Sequence, residues 1–322
     1  MVVLYLTSSM PRAGKTGVAA GIAKVLRSHN KRVGYLRPNI GVAKDGLDDD
    51  ASVLQRFLGL QESHEVLAPA FADERAMAAG MKSAIGAVSS QKDVVVVEGP
   101  ATSVQGAVDA AAAAEARVVG VENYAADFGP SAAYLKPFGK RLAGVVINRV
   151  PLSRTSRISA DAEGKLAGAR LLATIPEDRL IMSLSVVELA HDVGGKIVSG
   201  KERSSAVIES ILLGAMNPDH GPEYYSVKPN KAVITRSERP DMQLAALETS
   251  TSCIVLAGEQ PPIQMVLRRA EAKNVPIVST KADVRSVLAS LESALSGAGL
   301  NDRRIAALAE LMDKHLDLSG VI

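Results

Sequence analysis

Apolar residues in this chain come mostly in short unbroken runs. Runs at 2–6, 32–37, 93–97, 117–121, 142–148 and 170–174 are rich in β-branched residues, and Val94-Val95-Val96-Val97 is the plainest of them. A strand with one wet face alternates apolar and polar residues, whereas a strand apolar throughout is buried on both faces. Such strands belong to a parallel sheet built with right-handed crossovers. The stretches between the runs read as helices. The first carries Val18, Ile22, Val25 and Leu26 on one face, a second covers 51–60, and an alanine-rich one includes Ala110 to Ala114.

The texture changes after Pro176-Glu177-Asp178. A mixed segment, 184–197, is followed by a turn at Gly200-Lys201-Glu202-Arg203 and an apolar stretch, 206–216. The polar stretch 217–231, with Pro218, Pro222 and Pro229, reads as a surface loop. Strands at 231–235, 253–257 and 275–279 then alternate with helices at 241–248, 263–273 and 282–295, which makes a second α/β unit. A last helix, 302–315, begins at an Asn301 cap and shows Ile305, Leu308, Leu311 and Met312 on one stripe, as expected of a helix packed on the body. The expected organisation is α/β throughout. A parallel sheet with helices on both faces spans 1–180, a smaller α/β domain spans 181–297, and a C-terminal helix occupies 298–322.

Length agrees, since 322 residues exceed one typical core. With 47% apolar residues, 3% aromatics and no Trp, the core has to be built from Val, Leu, Ile and Ala. The net charge of +2 comes from mixed signs along the chain, so no basic stripe points to nucleic acid. The single cysteine, Cys253, excludes an internal disulfide and a multi-thiolate metal site, and its place in an apolar run suits a buried strand residue better than a nucleophile. The five histidines, His29, His64, His191, His220 and His315, lack metal-ligand spacing. No basic leader opens the chain and no apolar run reaches about 18 residues, so a soluble cytoplasmic protein with no membrane partner is expected.

The chemistry starts where the first strand ends, at Thr7-Ser8-Ser9-Met10-Pro11-Arg12-Ala13-Gly14-Lys15-Thr16. This is a phosphate-binding (Walker A) loop, G-x-x-x-x-G-K-[ST], with Ser9 in place of the leading glycine. Strand, loop and helix are the context it requires. Backbone N–H groups line such a loop, and the helix adds unpaired donors and a positive dipole end. Lys15 reaches the β- and γ-phosphates, and the Thr16 hydroxyl ligates Mg²⁺. The metal needs carboxylates nearby. Glu98 ends the 93–97 strand, and Asp48-Asp49-Asp50 opens the 51–60 helix. The dipole alone favours acids there, and Asp50, nearest the helix, is the functional candidate. Arg149 and Arg154, beside a proline turn, suit a solvated loop. Gly194-Gly195 suits a turn.

Taken in order, Ala13-Gly14-Lys15-Thr16, Arg37-Pro38, Asp50-Ala51, Val97-Glu98-Gly99, Asn148-Arg149 and Ile175-Pro176-Glu177 resemble the dethiobiotin synthetase-like branch of the P-loop NTPases, over residues 1 to about 180. The resemblance implies ATP and Mg²⁺ as cofactors. Arg12, Ala13, Gly14, Lys15, Thr16 and Gly17 would cradle the nucleotide, with Asn148 and Pro176 flanking its base. Thr16, Asp50 and Glu98 would serve the metal, and Lys15 and Arg37 the chemistry, Lys15 at the transferring phosphoryl group and Arg37 on an acceptor anion. That branch carries Lys where Arg37 stands and a glycine-rich turn where Gly99-Pro100-Ala101-Thr102-Ser103 stands, which argues against dethiobiotin synthesis.

The second half resembles the DRTGG domain through 228–235 and 238–250. Glu238-Arg239 takes the place of Asp-Arg, and Ala257-Gly258-Glu259 that of Thr-Gly-Gly. The pair of domains is similar to the N-terminal region of long phosphate acetyltransferases. The stand-alone two-domain form without the acetyltransferase catalytic domain is expected. The functions implied are an ATP-sensing regulatory protein or an ATP-dependent enzyme that phosphorylates or ligates a small carboxylate. The partners implied are a small anionic metabolite and a second copy, as a homodimer.

Overall fold

The computed structural model describes residues 1–41, 50–158, 162, 165–166, 168–178, 181, 183–214, 221–297 and 301–322. Asp48, Asp49, Pro218 and His220 lie outside the described residues. The described residues fall into two compact units, Met1–Ile181 with Gly299–Ile322 and Met182–Ala298.

In the first unit, β1 (Val2–Thr7) leads into α1 (Lys15–Ser28) and β2 (Val33–Leu36). Next come the two-residue β3 (Asn39–Ile40), α2 (Asp50–Leu58), α3 (His64–Leu67), the two-residue β4 (Ala70–Phe71) and α4 (Glu74–Val88). β5 (Val94–Glu98), α5 (Val104–Ala113), β6 (Arg117–Asn123), α6 (Gly129–Leu135), β7 (Leu142–Val150) and β8 (Leu171–Pro176) follow. Six strands form a sheet in the order β2-β5-β1-β6-β7-β8, parallel throughout, and they fall at the six apolar runs. All five residues of β5 are buried. Along β7, Val145 and Ile147 enter one apolar cluster while Val146 enters another, as successive side chains of a doubly covered strand must. β6 and β7 run two residues further than the apolar runs suggest, which carries Glu122 and Arg149 to the strand ends.

No element is expected over 61–92, yet α4 is a full helix there. Asp73 caps it by accepting the Ala76 N–H at 2.7 Å, and it buries Met77, Met81, Ile85 and Val88. Those four, spaced by 4, 4 and 3, are a legible stripe.

In the second unit, the mixed segment 184–197 resolves into β9 (Leu184–Ser185), α7 (Val186–Asp192) and the start of β10 (Lys196–Ser199). A capping box explains the switch, with Ser185 and Glu188 bonding each other's backbone N–H. The turn at 200–203 is a single 3₁₀ turn, Lys201–Arg203. The apolar stretch after it holds β11 (Val207–Ile208) and β12 (Ser210–Leu213). The stretch expected as a plain loop contains a short helix, α8 (Gly221–Ser226), which places Tyr225 in the core. β13 (Lys231–Arg236), α9 (Pro240–Leu247), β14 (Thr251–Ala257), α10 (Gln264–Lys273), β15 (Ile277–Thr280) and α11 (Val284–Gly297) complete the unit. Its sheet runs β10-β15-β14-β13-β12, with only β10 antiparallel. Ala232 and Ile234 join one cluster with α7 and α11, and Val233 joins the other with α9 and α10, so helices cover both faces. Cys253 is buried in β14, and burial pushes its thiol up to about 12.

α12 (Asp302–His315) closes the first unit. The Asn301 side chain accepts the Arg304 N–H at 2.9 Å. Its face of Ile305, Leu308, Ala309 and Met312 is buried, with Leu311 only half-buried at the margin. The helix lies against α1, where a Cβ on Gly21 would come 2.3 Å from Met312 Cγ, so the approach depends on that glycine.

Candidate functional site

The carboxyl ends of the parallel strands in the first unit gather most of the residues singled out by sequence. β1 delivers the loop, and α1 starts at Lys15 behind Gly14, which is left-handed at φ 91°. A side chain at Gly14 would be strained by that φ and would meet Asn148 Nδ2 at 2.4 Å. No side chain caps α1 and no acid lies in its first turn. Its first N–H groups are therefore available to an outside anion. Asn148, at the end of β7, donates to the Ala13 carbonyl at 2.9 Å and accepts the Arg149 N–H at 2.9 Å. It clamps the loop beside Gly14.

Lys15 is half-buried and donates to Ser8 Oγ at 3.1 Å. Burial lowers its pKa, and Arg37 adds to the lowering. Thr16 is buried, with its hydroxyl 2.7 Å from Glu98 Oε1 and 3.1 Å from Asp50 Oδ2. One hydroxyl has one proton, so it can donate to only one of them at a time. Glu98 is 5% exposed, and its Oε2 accepts from Tyr35 at 2.8 Å. Burial raises the Glu98 carboxyl above its ordinary value, while Arg37 works against that rise. Burial pushes the Tyr35 phenol well above its ordinary value, and Glu98 adds to this.

Arg37 stands with these acids. Its Nη2 lies 3.1 Å from Asp50 Oδ2 and its Nε 3.6 Å from Glu98 Oε1. Thus Thr16, Asp50 and Glu98, from three different elements, and Arg37, just past β2, form one cluster. Among the described residues no three His, Cys, Asp or Glu side chains gather as a metal cage. The donor set here, one hydroxyl and two carboxylates, is all oxygen. It suits magnesium, which usually takes one or two carboxylates together with substrate phosphates.

The remaining positions lie around this cluster. Ala13 and Gly17 are buried, and Arg12 is exposed with a left-handed φ of 58°. Pro176 ends β8, the edge strand, paired with Val150. Arg149 and Arg154 are exposed. The turn after Glu98 is tied to α4, where Glu74 accepts the Ser103 N–H at 2.6 Å.

Glu122, near the end of β6, is not among the residues singled out by sequence. It is 1% exposed and accepts three donors. Ser9 N–H reaches Oε1 at 2.8 Å, and Ser131 Oγ reaches Oε2 at 2.8 Å. The Ser9 hydroxyl also donates to Oε2. The serine at the missing-glycine position is thus fastened to the neighbouring strand. An acid interrupting an otherwise apolar run, Val118-Val119-Gly120-Val121-Glu122, was the available signal. Tyr134 of α6 and Thr7 of β1, paired at 2.6 Å, make a second tie.

In the second unit, β13 and β14 are parallel neighbours with Arg236 opposite Ala257, so the two halves of the eroded DRTGG signature meet at the strand ends. Ser237 N–H donates to Ala257 O at 2.9 Å. Arg239 pairs with Asp241 at 2.7 Å and holds its carboxyl below the usual range.

A family model described as an AAA domain matches residues 3–184, more than half of the chain, and the DRTGG domain model matches residues 188–294. The chain is 24% identical to a phosphate acetyltransferase of Nitratidesulfovibrio vulgaris over 98% of its own length and 50% of the relative's. It is 23% identical to a phosphate acetyltransferase of Synechocystis sp. over 90% and 47%. It therefore spans about half the length of these relatives. A 66-residue stretch is 32% identical to an ATP-dependent dethiobiotin synthetase of Bacillus subtilis subsp. natto, covering 20% of this chain and 29% of that protein. Among solved structures, a MinD cell division protein of Aquifex aeolicus overlaps 55% of the chain and 83% of its own at 20% identity, with a TM-score of 0.38. Among the described residues no helix is long and apolar enough to cross a membrane.

Proposed function

The chain belongs to the AAA domain family, and from that premise we propose that it binds Mg-ATP at the β1–α1 loop and serves as a nucleotide-sensing regulatory protein. The observation that carries this reading is the Thr16 hydroxyl held between Glu98 and Asp50, directly beside an uncapped helix N-terminus behind Gly14. Backbone groups from Arg12 to Gly17 would cradle the phosphates, and Lys15 would neutralise them. Asn148 and Pro176 would flank the base. Thr16, Asp50 and Glu98 would hold Mg²⁺, whose role is to neutralise phosphate charge. Residues 1–180 form the nucleotide domain in this reading, 181–297 the DRTGG-like domain that relays the signal, and 298–322 the helix that buttresses α1. The assembly is a cytoplasmic homodimer.

Sensing is favoured over transfer because Arg37, the residue expected to hold an acceptor anion, is engaged by Asp50 and Glu98. Isothermal titration with Mg-ATP tests the reading. Binding by the wild type and its loss in Lys15→Ala are expected, and no binding at millimolar ATP overturns it. The similarity to a dethiobiotin synthetase supports a second reading, an ATP-dependent enzyme acting on a small carboxylate with Lys15 and Arg37 as its catalytic cations. Metabolite-stimulated ADP release, abolished by Lys15→Ala, would favour it.

A further inference from the structure

Two groups, the Thr16 hydroxyl and the Arg37 guanidinium, share two carboxylate oxygens at this site. Asp50 Oδ2 is reached by Thr16 Oγ1 and Arg37 Nη2, both at 3.1 Å. Glu98 Oε1 is reached by Thr16 Oγ1 at 2.7 Å and Arg37 Nε at 3.6 Å. A divalent cation held by Thr16, Asp50 and Glu98 would need the oxygens that the guanidinium covers. Two carboxylates within reach of one hydroxyl also repel each other unless a cation lies between them.

We infer that Arg37 is the resident counter-cation of the Asp50–Glu98 pair and must leave it before a divalent metal can enter, so that metal is taken up together with nucleotide and poorly without it. The inference rests on the nucleotide-binding reading above and adds the order in which its parts assemble.

The geometry suits a displaceable cation. The Arg37 backbone is fixed, since its N–H donates to Leu67 O at 2.7 Å, so leaving requires only side-chain rotation. The side chain retains 26% exposure, which gives it an open side. Its fork geometry matches phosphate as well as carboxylate, so an incoming triphosphate offers the guanidinium an alternative partner as the metal takes its place. A lysine there would be a single point charge without that bidentate exchange, which gives the Arg in place of the family's Lys a physical consequence.

Mn²⁺ binding followed by electron paramagnetic resonance, without nucleotide, tests the exchange. If Arg37 leaves the pair open in only about a tenth of molecules, Arg37→Gln should bind Mn²⁺ about tenfold more tightly than wild type. Wild type should approach that affinity only with ATP present. Equal Mn²⁺ affinities of wild type and Arg37→Gln without nucleotide overturn the inference, and so does failure of Arg37→Gln to bind Mn²⁺ alone. In either case, Mg-ATP titration of the wild type reports separately whether the nucleotide reading survives. A wild-type measurement guards against misfolding of the variant. The Arg37 ¹⁵Nε resonance should shift on adding Mg-ATP as the ion pairs break, and an unmoved resonance at saturation overturns the inference.

Discussion

Removing Glu122 tests how the loop without its leading glycine is held. In Glu122→Ala, the Ser9 N–H, the Ser9 hydroxyl and the Ser131 hydroxyl all lose their acceptor. Hydrogen bonds to a charged group contribute about 1.5–3 kcal/mol each, so three amount to roughly 5–9 kcal/mol gross. Against this, the variant no longer buries a carboxylate, whose effective desolvation cost is several kcal/mol. The unmade bonds win, because Ser131 is buried and Ser9 half-buried, so water replaces the lost acceptor only in part, and a net loss of about 3 kcal/mol is expected. At about 2–4 °C per kcal/mol for a domain of this size, melting of the first unit should fall by roughly 6–12 °C. Glu122→Gln keeps an acceptor for the Ser9 N–H, and its amide can donate to either serine oxygen, so it should lose only about 1 kcal/mol. Calorimetry would measure both, and amide exchange at Ser9 would report the local effect, with loss of protection in the alanine variant. An alanine variant within about 0.5 kcal/mol of wild type would mean that Glu122 does not hold the loop, as would unchanged Ser9 protection.

Gly14→Ala should destabilise the loop by at least about 1–2 kcal/mol from its left-handed φ alone, with the contact to Asn148 adding to that, and should weaken Mg-ATP binding by titration. Met312→Ala opens a gap where α12 meets α1 over Gly21 and should cost about 2–5 kcal/mol in denaturant unfolding; a loss below about 1 kcal/mol would mean the helix is not docked there. Lys231, with its Nζ donating to Thr249 Oγ1 at 3.0 Å and Ser250 O at 2.7 Å, is lowered by burial to about 8. The unfolded lysine titrates near 10.4, so between those values the unfolded chain binds more protons and stability rises with pH. Melting of the second unit should climb from about pH 8 to about pH 10 in wild type and stay level by comparison in Lys231→Met.

The relation between the two DRTGG half-signatures shows how tertiary structure supplies what sequence spacing cannot. Glu238-Arg239 and Gly258 lie far apart along the chain, yet a parallel register with Arg236 opposite Ala257 brings their strand ends together. Arg239 is then committed to Asp241, two residues on, so the basic residue of the signature faces its own helix start.

The six strands of the larger sheet were legible in the chain, because a strand covered on both faces has to be apolar throughout, and β5 is. So was the phosphate loop, since Gly14-Lys15-Thr16 at a strand–helix junction is a local pattern. The acids at strand and helix ends, Glu98 and Asp50, were legible for the same reason. The second unit was less legible where elements are only two to seven residues long, as in β9, α7 and α8, because so few residues show no period. What a side chain touches was decided by tertiary structure alone. The sheet order sets β2 beside β5, which brings the guanidinium of Arg37, just past β2, onto Glu98 and Asp50. Ser9 looked like a lost glycine until β6 came to lie beside β1 and Glu122, 113 residues away, closed on it. Periodicity records which face of an element is dry, whereas partners across a sheet depend on strand order and register, which no single segment carries.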